Sequence, residues 1–138
     1  MSVLVLIGRI LFVVLFLGSS FGHLTQTNNM AGYAKSKGVP MAWAAVFGSG
    51  ILLVLGGISV LLGIWADLGA LLLAIFLIPT AIVMHGFWRA RGEARMMEQT
   101  QFLKDMALAG ACLMLLGLIS FAGHALGYTI TGPLFHLR

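Results

Sequence analysis

Four basic side chains lie inside or beside long apolar segments of the chain: Arg9, His23, His85 and Lys104. Guanidinium, imidazole and ammonium groups carry N–H donors, and in an apolar slot such a donor can bind the carbonyl oxygen of a ligand. A polar group among apolar residues is costly unless it finds a partner. These four residues are therefore the candidate ligand-binding residues.

Arg9 lies about six residues into an apolar run that begins at Val3, which is roughly 9 Å along a helix axis. Exposing a guanidinium to lipid at the bilayer centre costs on the order of 3 kcal/mol, so Arg9 should point inward or extend to the nearer surface. A structural hydrogen bond, an extended surface position and ligand binding all remain open. Ser59 and His124 are predicted at a similar depth.

His23 and His85 are predicted at the same membrane level, and two imidazoles at one level could ligate haem or a metal. Histidines held by backbone carbonyls near the membrane surface explain the pair equally well. No carboxylate lies within either span and no CxxCH motif is present, so no metal site is predicted. Lys104 and Asp105 open the last apolar helix, either as a favourable helix start or as part of a polar vestibule beside His85.

Other chemistry is excluded by what the chain lacks. One cysteine, Cys112, cannot form an internal disulfide or a CxxC pair. Four acidic residues, three of them in one surface stretch, cannot supply a hydrolytic triad or paired catalytic carboxylates. No catalytic residue is identified. The net charge of +4 fits a lipid surface, because most basic residues flank apolar runs, and no nucleic-acid binding is predicted.

The elements that position these residues follow from composition. Of 138 residues, 60% are hydrophobic and 9% are charged, and the mean hydropathy is +1.04. Soluble chains are about a quarter charged. Apolar runs predict four membrane spans at residues 3–22, 41–64, 68–87 and 105–125. The sequence therefore predicts an all-α polytopic membrane protein with an antiparallel bundle of four transmembrane helices.

Two polar segments separate the spans. Residues 24–40 predict a short interfacial helix capped by Asn28, and residues 88–104 predict a short helix on the membrane surface. Pro79 lies inside the third span and should kink it. These two loops carry six basic residues and the terminal side carries two, so the loops are expected in the cytoplasm and the termini outside.

Small residues are frequent in the spans, including Gly18 and Gly22, the pair Gly56 and Gly57, and the series Ala66, Ala70 and Ala74. They let helix backbones approach closely. The close approach is either within one bundle or between subunits of a homo-oligomer.

Several segments together resemble the DoxX family of small four-helix membrane proteins. The segments are Gly8-Arg9 followed by an apolar run to Gly22-His23, the stretch MAGYAKSKGVP from Met30, Gly56-Gly57 with Gly63, the His85 run, and Gln101 to Asp105. The resemblance covers nearly the whole chain, residues 1–138, as a single domain.

Two positions depart from the family pattern. The family commonly has a glutamate three residues before the glycine pair, where this chain has Leu53, and often a basic residue in the following turn, where it has Asp67. Arg9 therefore lacks the intramembrane acid with which it could pair.

The resemblance implies a multi-pass protein of the bacterial cytoplasmic membrane with a role in respiratory or oxidative-stress redox chemistry. One branch is similar to a subunit of a thiosulfate:quinone oxidoreductase, and other members are associated with complexes that include a superoxide dismutase. The expected function is a membrane subunit or accessory protein of a redox complex that holds a quinone, in contact with lipid and with membrane or peripheral redox subunits. A non-catalytic scaffold that docks partner subunits is the alternative. Whether the chain has enzymatic activity stays open.

Overall fold

A computed structural model describes residues 2–135. Five α-helices follow one another along the chain, and no β-strand occurs in this range. They are α1 (Ser2–Thr25), α2 (Thr27–Ser36), α3 (Ala42–Leu62), α4 (Ala66–Met84) and α5 (Gly92–Ala122), with 3-10 turns at Phe87–Arg89 and Gly123–Leu126. Helices α1, α3, α4 and α5 are long and apolar enough to cross a membrane. The all-helical, four-span prediction is confirmed.

The four long helices pack in the order α1, α3, α4, α5, so that α3 and α4 form the centre of the bundle. In the apolar segments of α3 and α4, 33% of the residues are buried inside the protein, whereas in the apolar segment of α1 the buried share is 17%. Phe16, Leu53, Leu73 and Cys112 from the four helices meet in one core. Most other apolar side chains face outward, where a bilayer solvates them.

Close helix contacts depend on glycines in the two central helices. A side-chain carbon added at Gly56 would lie 2.9 Å from Leu73, and one added at Gly69 would meet the Ser59 hydroxyl and lie 2.9 Å from the Gly56 carbonyl oxygen. The same carbon at Gly18 has nothing within 4 Å. Packing within one bundle therefore explains Gly56 and Gly69, whereas Gly18 faces outward.

A tight turn joins α3 to α4. Gly63 ends α3 with φ +67°, a left-handed conformation that glycine adopts without strain, and the Ile64 N–H donates to the Ser59 carbonyl oxygen at 3.0 Å. Because the turn is so short, α3 and α4 are antiparallel neighbours.

The two polar segments differ from the sequence prediction in detail. Residues 88–104 do not form a separate surface helix, because no glycine or proline interrupts the chain from residue 93 to 109 and α5 is continuous for 31 residues. At roughly 46 Å it is longer than the hydrocarbon core, so residues 92–104 extend beyond the membrane-crossing part. Asn28 does not cap α2 but lies within it, and its Oδ1 accepts a hydrogen bond from Trp43 Nε1 at 3.0 Å.

The bundle has two distinct ends. The loop end carries α2, the 3-10 turn at Phe87–Arg89 and the start of α5. The terminal end carries the start of α1, the α3–α4 turn and residues 123–135. A side-chain carbon added at Gly127 would lie 2.7 Å from Ser2 Cβ, so the two ends of the described chain meet there.

Candidate functional site

A cavity of about 830 Å³ opens at the loop end between α1, α2, α3 and α4. Apolar side chains such as Leu52, Ile75 and Val83 form most of its wall. Small-molecule sites in proteins commonly measure roughly 300–1,000 Å³ and combine apolar walls with few polar groups. The polar residues that line this cavity are His23, Asn29, Tyr33, Ser49, Thr80 and His85.

His23 lies near the end of α1 and is half-buried against α3 and α4. Its Nδ1 is 2.7 Å from Ser49 Oγ and 3.3 Å from the Val46 carbonyl oxygen, and its ring contacts Phe76 edge-on with centroids 5.8 Å apart. Ser49 itself donates to Val46 O at 2.7 Å. The ring is thus oriented by two neighbouring helices.

His85 caps the end of α4 and lies within an ionic network. Its Nδ1 is 2.8 Å from Glu98 Oε2 on α5, and Lys37 Nζ donates to Glu98 Oε1 at 2.8 Å. One carboxylate therefore connects the end of α2, the end of α4 and the start of α5 beside the cavity.

The charges of this network reinforce each other. Hydrogen bonding to Glu98 raises the pKa of Lys37, and hydrogen bonds from Lys37 and then His85 lower the pKa of Glu98. Glu98 lies in the part of α5 that extends beyond the membrane. It is therefore an ionised hydrogen-bond acceptor at neutral pH.

Asp105, not Lys104, approaches His85. Asp105 Oδ2 lies 3.8 Å from His85 Nε2, whereas Lys104 is exposed and does not line the cavity. Glu98 and Asp105 are seven residues apart, two turns along one face of α5. That spacing is the signal by which sequence analysis could have placed both carboxylates beside His85.

Within residues 2–135, no group of three His, Cys, Asp or Glu residues is arranged to hold a metal ion. His23 and His85 line the same cavity, and each uses its Nδ1 for a protein hydrogen bond. The second ring nitrogen of each histidine is left for a hydrogen bond to an organic ligand.

Arg9 lies at the opposite end of the bundle from the two histidines. Its side chain is buried, with 4% of the residue exposed, and Nη2 donates to the Tyr128 carbonyl oxygen at 2.6 Å. Ser59 forms no hydrogen bond with it and instead donates to the Ile64 carbonyl oxygen at 2.6 Å. The structure thus separates Arg9 from the candidate cavity.

Residues 127–135, here called the terminal strap, cross the terminal end and bind three helices. Besides the bond to Arg9, the Ile130 N–H donates to the Gly63 carbonyl oxygen at 3.1 Å, and the Phe135 N–H donates to Asp67 Oδ2 at 2.5 Å. Asp67 is fully buried. Sequence analysis did not predict that the strap binds Arg9 and Asp67. The strap uses backbone N–H and C=O groups, which every residue type has, so no sequence pattern marks these contacts.

Comparison with known proteins supports the assignment from the residues. The DoxX family model matches residues 4–86, which include Arg9, His23 and His85. The chain is 30% identical over 113 residues to the inner membrane protein YphA of Escherichia coli (strain K12). The aligned region covers 82% of this chain and 81% of that protein. No solved structure matched. The chain is a multi-pass membrane protein and belongs to the DoxX family.

Proposed function

We propose that this protein is a small membrane subunit or accessory protein of a redox complex and that it holds a quinone-class ligand in the loop-end cavity. The observation that carries the proposal is the pair His23 and His85, which come from different helices and line one largely apolar cavity. Any catalysis is proposed to lie in partner subunits of that complex.

The cavity suits a ring with polar groups and an apolar tail. Its apolar walls can cover the ring and tail, which favours binding by about 25 cal/mol per Å² of apolar surface removed from water. The imidazoles supply directional hydrogen bonding at the ring. Arg9 and Lys104, the other two candidates, have no place in this binding mode, since neither lines the cavity.

The loop end is proposed to face the cytoplasm. Arg89, Arg91 and Arg95 are exposed there, together with Lys35. Basic residues concentrate on the cytoplasmic side of membrane proteins. A redox partner of the cytoplasm or the membrane would meet this exposed basic surface beside the cavity.

Binding of a short-chain quinone, as decylubiquinone and as its reduced form decylubiquinol, to the purified full chain tests the proposal. Quenching of tryptophan fluorescence reports binding. His85→Ala should weaken binding of at least one of the two forms about fivefold, the effect of one lost hydrogen bond. His124→Ala is the matched control, because His124 lies at the terminal end. No binding of either form to the native protein, or equal binding of both forms by His85→Ala, would contradict the proposal.

A non-catalytic scaffold is the second candidate function. Gly18 on α1 and Gly110 and Gly117 on α5 have open space where a side chain would project, so both outer helices offer close approach to another membrane helix. Native mass spectrometry from mild detergent tests it. A scaffold is supported if the native protein retains partner chains or further copies of itself and Gly110→Leu loses them. A monomer without partners would contradict it.

A further inference from the structure

The position of the proton on His85 follows from its partner. Glu98 is an ionised carboxylate with Lys37 on its other oxygen, and an ionised carboxylate can only accept hydrogen bonds. The contact of 2.8 Å between His85 Nδ1 and Glu98 Oε2 therefore requires the proton on Nδ1. In the neutral ring, Nε2 then carries a lone pair and is an acceptor.

His23 reaches the same protonation pattern by a different route. The Ser49 hydroxyl donates its one hydrogen to the Val46 carbonyl oxygen at 2.7 Å. Its oxygen must therefore accept from His23 Nδ1 at 2.7 Å. The neutral His23 ring also has its lone pair on Nε2.

Neither Nε2 atom forms a hydrogen bond with another group of residues 2–135. The nearest ionic group is Asp105 Oδ2, 3.8 Å from His85 Nε2 and beyond hydrogen-bond distance. Thr80 donates to the Phe76 carbonyl oxygen at 2.7 Å, so its hydrogen is used as well. The two imidazoles present acceptors, and a ligand that binds them must donate.

We infer that the cavity binds the reduced, hydroxyl-bearing form of a ring ligand, a hydroquinone or phenol, in preference to its carbonyl form, with the hydroxyl donating to His85 Nε2. The inference rests on the proposed function and concerns binding alone, without electron transfer. A quinone carbonyl has no hydrogen to donate and would place its lone pairs against that of Nε2. Asn29 and Tyr33 of α2 also line the cavity, and their N–H and O–H groups can donate to the hydroxyl oxygen.

A redox-inert pair of ligands isolates the hydroxyl donor. 4-Heptylphenol and 4-heptylanisole share ring and tail, but only the phenol can donate a hydrogen bond. We expect the full chain to bind the phenol about fivefold more tightly in calorimetric titration. His85→Ala should bring the ratio of the two affinities close to one. Because both proteins are measured in the same detergent, this comparison removes the different partitioning of the ligands into micelles.

Glu98→Gln tests the tautomer directly. The amide oxygen can keep the hydrogen bond from Lys37, and the amide NH₂ then faces His85 Nδ1, which must accept. The His85 proton moves to Nε2, and the preference for the phenol should disappear or reverse. Glu93→Gln is the matched control, because Glu93 is an exposed glutamate of the same helix, and it should keep the preference.

Each result decides between the two proposals. Equal binding of the two ligands by the native protein, or tighter binding of the anisole, overturns the inference and leaves the cavity as a ligand site. If the native protein binds neither ligand and neither decylubiquinone nor decylubiquinol, the proposed function and the inference are overturned together. If Glu98→Gln does not fold, the comparison of native protein with His85→Ala still decides.

Discussion

The two ends of the bundle use polar groups in opposite ways. At the loop end, polar side chains bind one another around a cavity, as in the chain from Lys37 through Glu98 to His85. At the terminal end, Arg9 and Asp67 bind the backbone of the terminal strap. A side-chain carbon at Gly63 would lie 2.6 Å from Thr129 Cα, so the strap packs directly on the α3–α4 turn.

The difference separates groups that fasten the fold from groups that are free to bind. Both ends contain polar atoms that have no hydrogen-bond partner among residues 2–135. At the terminal end they are Arg9 Nε, Asp67 Oδ1 and Ser120 Oγ, on residues that are 4%, 0% and 7% exposed. At the loop end they are the Nε2 atoms of His23 and His85, two residues that line a cavity. The His85 side chain is 24% exposed. Only the second kind of atom lies on a residue that lines the cavity.

The largest expected contrast between the ends is their side of the membrane. Gln99 is exposed at the loop end and Ile130 at the terminal end. In a Cys112→Ala background on intact cells, Ile130→Cys should react with an impermeant thiol reagent, and Gln99→Cys should react only after permeabilisation. The reverse pattern would overturn the proposed orientation.

Packing density gives the next contrast. Gly69→Leu forces a side chain of α4 against Ser59 and the Gly56 carbonyl oxygen of α3, near the terminal end. To relieve this overlap the backbones of α3 and α4 would have to move apart. We expect a loss of about 3 kcal/mol in the free energy of unfolding, measured by SDS titration. Gly48→Leu, in the same pair of central helices but with open space around it, should change stability little. Equal losses would mean that the two ends are packed alike.

Sequence analysis predicted the spans and the shared level of His23 and His85 because the bilayer imposes both. Lipid requires about 20 apolar residues for each crossing, and the rise per residue in a helix then fixes depth. The four helices and the cavity that both histidines line agree with this argument.

Rotation of helices and routes of loops are not fixed by hydropathy. Glu98 faces His85 because of how α5 is rotated about its axis, and the prediction of a separate helix at 88–104 hid its continuity with Asp105. The partner of Arg9 is the backbone carbonyl oxygen of residue 128 in the strap. Any residue type at that position has this oxygen, so the sequence does not reveal the contact. Leu53, where the family commonly has a glutamate, is a fully buried core residue.

The third contrast concerns Arg9, which binds the strap. Arg9→Leu removes a charged donor and leaves the Tyr128 carbonyl oxygen without its partner. The expected loss is about 2 kcal/mol in the free energy of unfolding, with faster amide hydrogen exchange in residues 127–131 and unchanged decylubiquinone binding. Unchanged stability and exchange would show that Arg9 does not hold the strap, and weakened ligand binding would place it in the function of the loop end.

The smallest expected effect is the contribution of Glu98 to stability at the loop end. The ion pair with Lys37 is partly exposed and should contribute less than about 1 kcal/mol. Lys37 lowers the pKa of Glu98, so this contribution is present above the ordinary glutamate value and is lost as the pH falls through the lower value of the folded protein. The melting temperature of the native protein should exceed that of Glu98→Gln at pH 7, and the gap should close as the pH falls below the lowered pKa of Glu98. Glu93→Gln should show no such gap over this pH range, since Glu93 is exposed. A gap for Glu98→Gln that stays constant with pH would mean that the carboxylate acts through packing instead of charge.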